Sequence, residues 1–105
     1  MKIQEELARS VRTLIISKGN TIQERLADAT WDIANVLDRE LPEWVTPSIK
    51  DDYREIGETL KKAGSEYKEK YYFMGAMNLT TPEALAISEK ILDVSTGLLW
   101  EWVHQ

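Results

Sequence analysis

Apolar positions recur along this chain at helical spacing. Ile3, Leu7, Val11 and Leu14 follow one another at intervals of four, four and three, a single stripe closed by Gly19-Asn20, which predicts a helix over about 2–18. Thr21 followed by Glu24 is a capping box, in which hydroxyl and carboxylate each satisfy an otherwise unpaired backbone amide. A second helix should run from there to about 41, because Pro42 disfavours the helical conformation of its predecessor and cannot donate the next backbone bond. Thr46-Pro47 and Thr81-Pro82 are matching start signals, each pairing a capping hydroxyl with a proline whose missing amide costs nothing in a first turn.

The stretch between them gives two conflicting signals. Ile49, Tyr53, Ile56, Leu60, Ala63, Tyr67, Tyr71 and Met74 alternate by four and three without a break, as one long helix would. Lys61-Lys62-Ala63-Gly64-Ser65 instead reads as an ending: cations in the last turn, a glycine free to take a left-handed conformation, and a serine ready to cap the next helix. A continuous helix would be roughly 45 Å long against about 30 Å for the second helix, leaving seam unburied. Separate helices over 47–63 and 65–78 are therefore preferred to one long kinked helix. Gly57, Gly64 and Gly75 would mark the side where another helix comes close. The last helix, 82–104, carries Ala84, Ile87, Ile91, Val94, Leu98 and Trp102 as its stripe. No run alternates as strands do, so the fold class is all-α, a compact bundle of four or five helices.

The two Thr-Pro starts lie 35 residues apart, near the tetratricopeptide period. The stretch from Ile56-Gly57 through Gly64, Tyr67 and Ala76 to Pro82 loosely resembles one such hairpin. One extra residue separates Gly64 from Tyr67, however, and Lys70 stands where a small alanine belongs. The offset aligns little else, and no repeat family is assigned.

With 105 residues the chain suits one helical domain over 1–105. It has no cysteine, which removes disulfides, zinc–thiolate sites, iron–sulfur clusters and thiol nucleophiles. Charged Lys2, Glu5, Glu6, Arg9 and Arg12 interrupt the apolar core that a leader peptide would need, and the longest uncharged stretch, Tyr71 to Pro82, is too short to span a bilayer. A cytoplasmic protein with no membrane contact is expected. Eighteen acidic residues against 13 basic ones give a net charge of −5, which disfavours nucleic acid as a partner. The first helix is locally basic, since Lys2, Arg9, Arg12 and Lys18 exceed Glu5 and Glu6 by two. A charge asymmetry of this kind can orient a chain on a charged partner or complement acidic neighbours in the fold.

Candidate chemistry is sparse. His104, the only histidine, follows Glu101 by three, as in helical di-iron sites, but such sites need two Glu-x-x-His pairs; an exposed histidine near the end of the sequence is the plainer reading. Glu24, Asp28 and Asp32 stack at intervals of four on one helix face and could hold magnesium in a dimeric helical hydrolase. The plainer alternative is the solvated face of an amphipathic helix. The five glycines never cluster as a phosphate-binding loop, and no cofactor is expected.

Aromatic residues carry more information. Trp100 lies about 200° round the last helix from Trp102 and should face outward beside Asp93, Thr96 and Gly97, with the glycine leaving room for something to pack. Trp31 lies opposite the stripe Ile22, Leu26, Ile33 and Leu37, flanked by Ala27 and Ala34; burial of a central helix on two sides is the alternative there. Tyr72 and Phe73 leave the Tyr67–Tyr71–Met74 seam. Tryptophan and tyrosine anchors are enriched in interfaces. The expected function is non-catalytic: protein–protein interaction of inhibitor, immunity or adaptor type, or self-association, through Trp100, Trp31, Tyr72, Phe73, Asp93 and Gly97. The alternatives are the magnesium hydrolase and a small-molecule binder with a pocket lined by Tyr67, Tyr71 and Trp31.

Overall fold

A computed structural model describes residues 2–67 and 70–104, apart from the side chain of Asn35. Five helices occur in order: α1 (Ile3–Ile16), α2 (Ile22–Leu37), α3 (Pro47–Ala63), α4 (Tyr71–Asn78) and α5 (Thr81–His104). No strand occurs among the described residues. One core joins all five helices, with Leu7, Leu26, Ile33, Val36, Ile56, Leu60, Ile91 and Leu98 fully enclosed. The long dimension of the bundle, 37 Å, is set by α5, whose 24 residues span about 36 Å.

The start of α2 is as the capping box predicts. The Glu24 amide donates to the Thr21 hydroxyl at 3.1 Å, while the Glu24 carboxylate accepts the Asn20 amide at 2.8 Å. The proline-marked starts use different caps from those expected. Thr46 makes no side-chain cap; its own amide donates to the Glu101 carboxylate at 3.1 Å, so the end of α5 closes the start of α3. At α5 the capping residue is Thr80, not Thr81. Thr80 and Glu83 exchange amide-to-side-chain bonds of 2.9 and 3.3 Å, and the Thr80 amide, followed by the Thr80 hydroxyl, holds the Glu83 carboxyl below its ordinary range. Thr80-x-x-Glu83 is itself a capping box, which outweighs the isolated Thr-Pro signal.

α2 ends four residues before the expected 41, and Pro42 is not the cause. The Arg39 amide closes the end of α2 on the Val36 carbonyl at 2.9 Å, and the phenol of Tyr53 in α3 docks on that turn within bonding reach of the Val36 and Arg39 carbonyls. The break between α3 and α4 occurs at Gly64, but α4 begins at Tyr71 rather than at 65; residues 64–66 form a turn. The reason for the glycine also differs from expectation. Gly64 has φ −106° and ψ 17°, and no described residue has positive φ. A Cβ on Gly64 would lie 1.9 Å from the Tyr71 carbonyl oxygen, and one on Gly75 2.0 Å from that of Leu60. The two glycines let the backbones of α3 and α4 touch where they cross. Gly57, by contrast, faces open space.

Trp102, expected in the core stripe of α5, is 38% exposed. The buried stripe stops at Leu98, and the Lys2 ammonium covers the Trp102 ring at 5.0 Å. That contact places the start of α1 beside the end of α5, and Gln23, just after the α1–α2 connection, bonds Leu79 and Thr81 at the start of α5, so α1 and α5 run antiparallel.

Candidate functional site

The metal-ligand row comes apart in three dimensions. Asp28 accepts a 2.6 Å bond from the Ser17 hydroxyl, Asp32 one of 2.5 Å from the Thr13 hydroxyl, and Glu24 serves the cap at Asn20. Instead of a solvated face or an open ligand set, Asp28 and Asp32 stitch α2 to α1 and its C-terminal cap, and Glu24 caps its own helix. Among the described residues no three His, Asp or Glu side chains gather closely enough to hold a metal ion. His104 lies against its own helix, its ring 3.9 Å from that of Trp100 and its Nδ1 2.7 Å from the Trp100 carbonyl oxygen.

The predicted interface residues fall into two groups. In the first, Trp31 meets Phe73 with ring centres 5.6 Å apart, and the Lys70 ammonium lies 6.0 Å above the indole. Tyr72, expected at the surface, is 6% exposed, and its hydroxyl donates to Asp38 at 2.7 Å. Burial, and then this bond to a carboxylate, push the Tyr72 phenol well above its ordinary value. Burial does the same for Tyr53, against the opposing influence of Arg39. The hollow among Trp31, Tyr71, Tyr72 and Phe73 holds about 180 Å³ and does not include Tyr67. That is below the roughly 300 Å³ at which small-molecule pockets begin.

A larger cleft, about 510 Å³, lies between residues 37–41 and α3. No sequence feature points to it, since it forms only when α3 docks against the end of α2. Its cations Arg39, Lys50, Arg54 and Lys61 interleave with Asp38, Glu40 and Glu58. Arg39 pairs with Glu6 and Arg54 with Asp51. The mixture gives the cleft no strong preference for either charge.

The second group is on α5, where Trp100, Asp93 and Gly97 do come together. With Ile49, Leu92, Thr96 and Glu101 they line an open groove of about 520 Å³. Gly97 leaves no vacant space, however, because the Ile49 side chain of α3 lies 2.7 Å from where its Cβ would be. Trp100 is 66% exposed. Beside it the solvent side of α5 also exposes Leu85, Leu92, Leu99 and Val103, a strip not singled out from the sequence. Its signal is present there as leucines at intervals of seven, next to the buried stripe.

Positions around α5 can be assigned at 100° per residue. Lys90, Gly97 and Glu101 meet α3, and Trp102 meets the start of α1. Leu85, Leu92 and Leu99 therefore occupy the solvent side toward α1, with Trp100 and Asp93 toward α3. On α1, Glu6 and Thr13 reach α2, so exposed Ile15 lies on the opposite flank, facing α5. The exposed apolar strip thus runs along the seam between α1 and α5.

Helical content, one core and no helix among the described residues long and apolar enough to cross a membrane define an all-α bundle. No family model, curated protein or solved structure matches the chain.

Proposed function

We propose that this protein works by association, without catalysis, and that the outer face of α5 is the surface it uses to bind protein. The observation that supports this is the two-sided character of α5. Its buried side carries Ala84, Ile87, Ile91, Val94 and Leu98, while its solvent side displays Leu85, Leu92, Leu99, Trp100 and Val103. A helix with large apolar residues on two sides is ordinarily buried on both, and here the bundle covers one side only. Contiguous apolar surface of this kind marks interaction sites, and an exposed tryptophan is a favoured anchor. An inhibitor, immunity or adaptor role is the form such binding would take in a small acidic bundle.

The test is a photo-cross-linking side chain at position 92, with one at position 58 on the α3 cleft as control, each introduced into the chain in its native host. Position 92 should capture protein and position 58 should not. Absence of any protein cross-link at 92 would sink this reading.

A further inference from the structure

The seam between α1 and α5 carries opposite charge on its two walls. The single Lys or Arg of α5, Lys90, is turned to α3, where it lies 3.5 Å from Asp52 and 3.4 Å from Glu55. The outer face of α5 is consequently rimmed by exposed acids only, Glu89 and Asp93. The outer face of α1 presents exposed Glu5, Arg9, Arg12 and Ile16, with Lys18 just beyond the helix, a surplus of cations. The molecule thus displays an acidic apolar face and a basic apolar face side by side, on antiparallel neighbours.

From this we infer that the occupant of the α5 face is a second copy of the same chain, in a two-fold dimer whose axis runs along the α1–α5 seam. The inference rests on the reading of that face as a protein-binding surface. An axis in that direction lays α1 of each copy over α5 of the other and preserves height along the helices. The Lys2–Trp102 contact fixes those heights: both helices rise about 1.5 Å per residue in opposite directions, so Arg12 is level with Glu89 and Asp93 to within about a turn. Arg12 of one copy therefore meets Glu89 and Asp93 of the other, twice over, as an isologous interface requires. Ile15, Leu85, Leu92 and Leu99 line the axis, and Trp100 faces the first turns of the opposing α1. An axis across the seam would instead set α1 on α1 and α5 on α5, so that each face meets its own charge, where like charges repel. The footprint suits a weak dimer. Over the length shared by helices of 14 and 24 residues, two strips each about 10 Å wide cover roughly 400 Å² per copy before side-chain relief, about half of the roughly 800 Å² of a standard stable interface and in the range of weak, concentration-dependent association.

Sedimentation equilibrium across the micromolar range tests the arrangement, with circular dichroism confirming the helical content of each variant. Wild type should be dimeric. Arg12→Glu should weaken dimerisation about tenfold or more, as should Glu89→Arg with Asp93→Arg, and the triple variant should recover it. Because the chain has no cysteine, a second measurement is direct: a mixture of Arg12→Cys and Asp93→Cys chains should oxidise to the 12–93 heterodimer in preference to the 12–12 homodimer. Wild type that stays monomeric, charge reversals without effect, or a dominant 12–12 bond would each overturn the inference. If wild type is monomeric while position 92 still cross-links to a different protein, the second-copy assignment fails and the function proposed for the face stands. If position 92 captures nothing, both fail.

Discussion

Aromatic side chains reach the surface of this bundle in two places, and the two are finished differently. Around α4, each ring has a partner within the chain. Trp31 has Phe73 and Lys70, Tyr71 has Tyr72 and Lys61, and the Tyr72 hydroxyl has Asp38. On α5, Trp100 stacks on His104 of its own helix, and the leucines beside it face water. Trp31 and Trp100 are almost equally exposed, at 61% and 66%, so exposure alone does not separate them. What separates them is whether the surrounding groups are already satisfied, and under the proposed function that difference leaves one a structural role and the other an associative one.

The comparison can be broken most forcefully at the α3–α4 crossing, which carries Tyr71, Tyr72 and Phe73 into place. Gly75→Ala should cost on the order of 3 kcal/mol, because its methyl group meets the Leu60 backbone rather than a movable side chain. A thermal melt monitored by circular dichroism measures it, and an unchanged melting temperature would contradict the crossing. Next, Tyr72→Phe should cost about 1–2 kcal/mol by leaving Asp38 without its short bond. The same residue makes the α4 region sensitive to alkali. The folded-state Tyr72 phenol titrates above the 10.0 of an unfolded tyrosine, so above that pH the unfolded chain loses its proton first. Stability should be level up to about pH 10 and fall as pH rises further, less steeply in Tyr72→Phe. The smallest effects sharpen the contrast. At concentrations low enough for monomer, Trp31→Ala should cost about 1 kcal/mol and Trp100→Ala no more than about 0.5 kcal/mol, both read from urea unfolding. Equal losses would remove the distinction between the two surfaces.

Local chemistry is legible in the sequence where the partner lies within a turn and no competing signal stands beside it, as Thr81-Pro82 stands beside the Thr80–Glu83 cap. Thr21 with Glu24, the break at Gly64 and the buried stripe of α5 through Leu98 all come from neighbours three or four residues apart. Long-range partners are not legible. Asp28 and Asp32 look solvated until Thr13 of α1 and Ser17 just past its end are brought across them, and α2 looks able to reach Pro42 until Tyr53 docks on the turn that follows Leu37. Tyr72 is misplaced for a related reason: a phase counted along one unbroken helix is reset by the turn at residues 64–66. Leu85, Leu92 and Leu99 are readable in the sequence but easily passed over, since one apolar stripe already accounts for α5.

The bond from the Thr46 amide to Glu101 joins residues 55 positions apart at the edge of the proposed interface. An amide whose acceptor sits on another helix exchanges with solvent whenever that helix end frays. Thr46 is therefore a natural reporter, built into α3, of the opening and closing of the last turn of α5. A partner seated on that turn would slow its exchange without touching Thr46 itself.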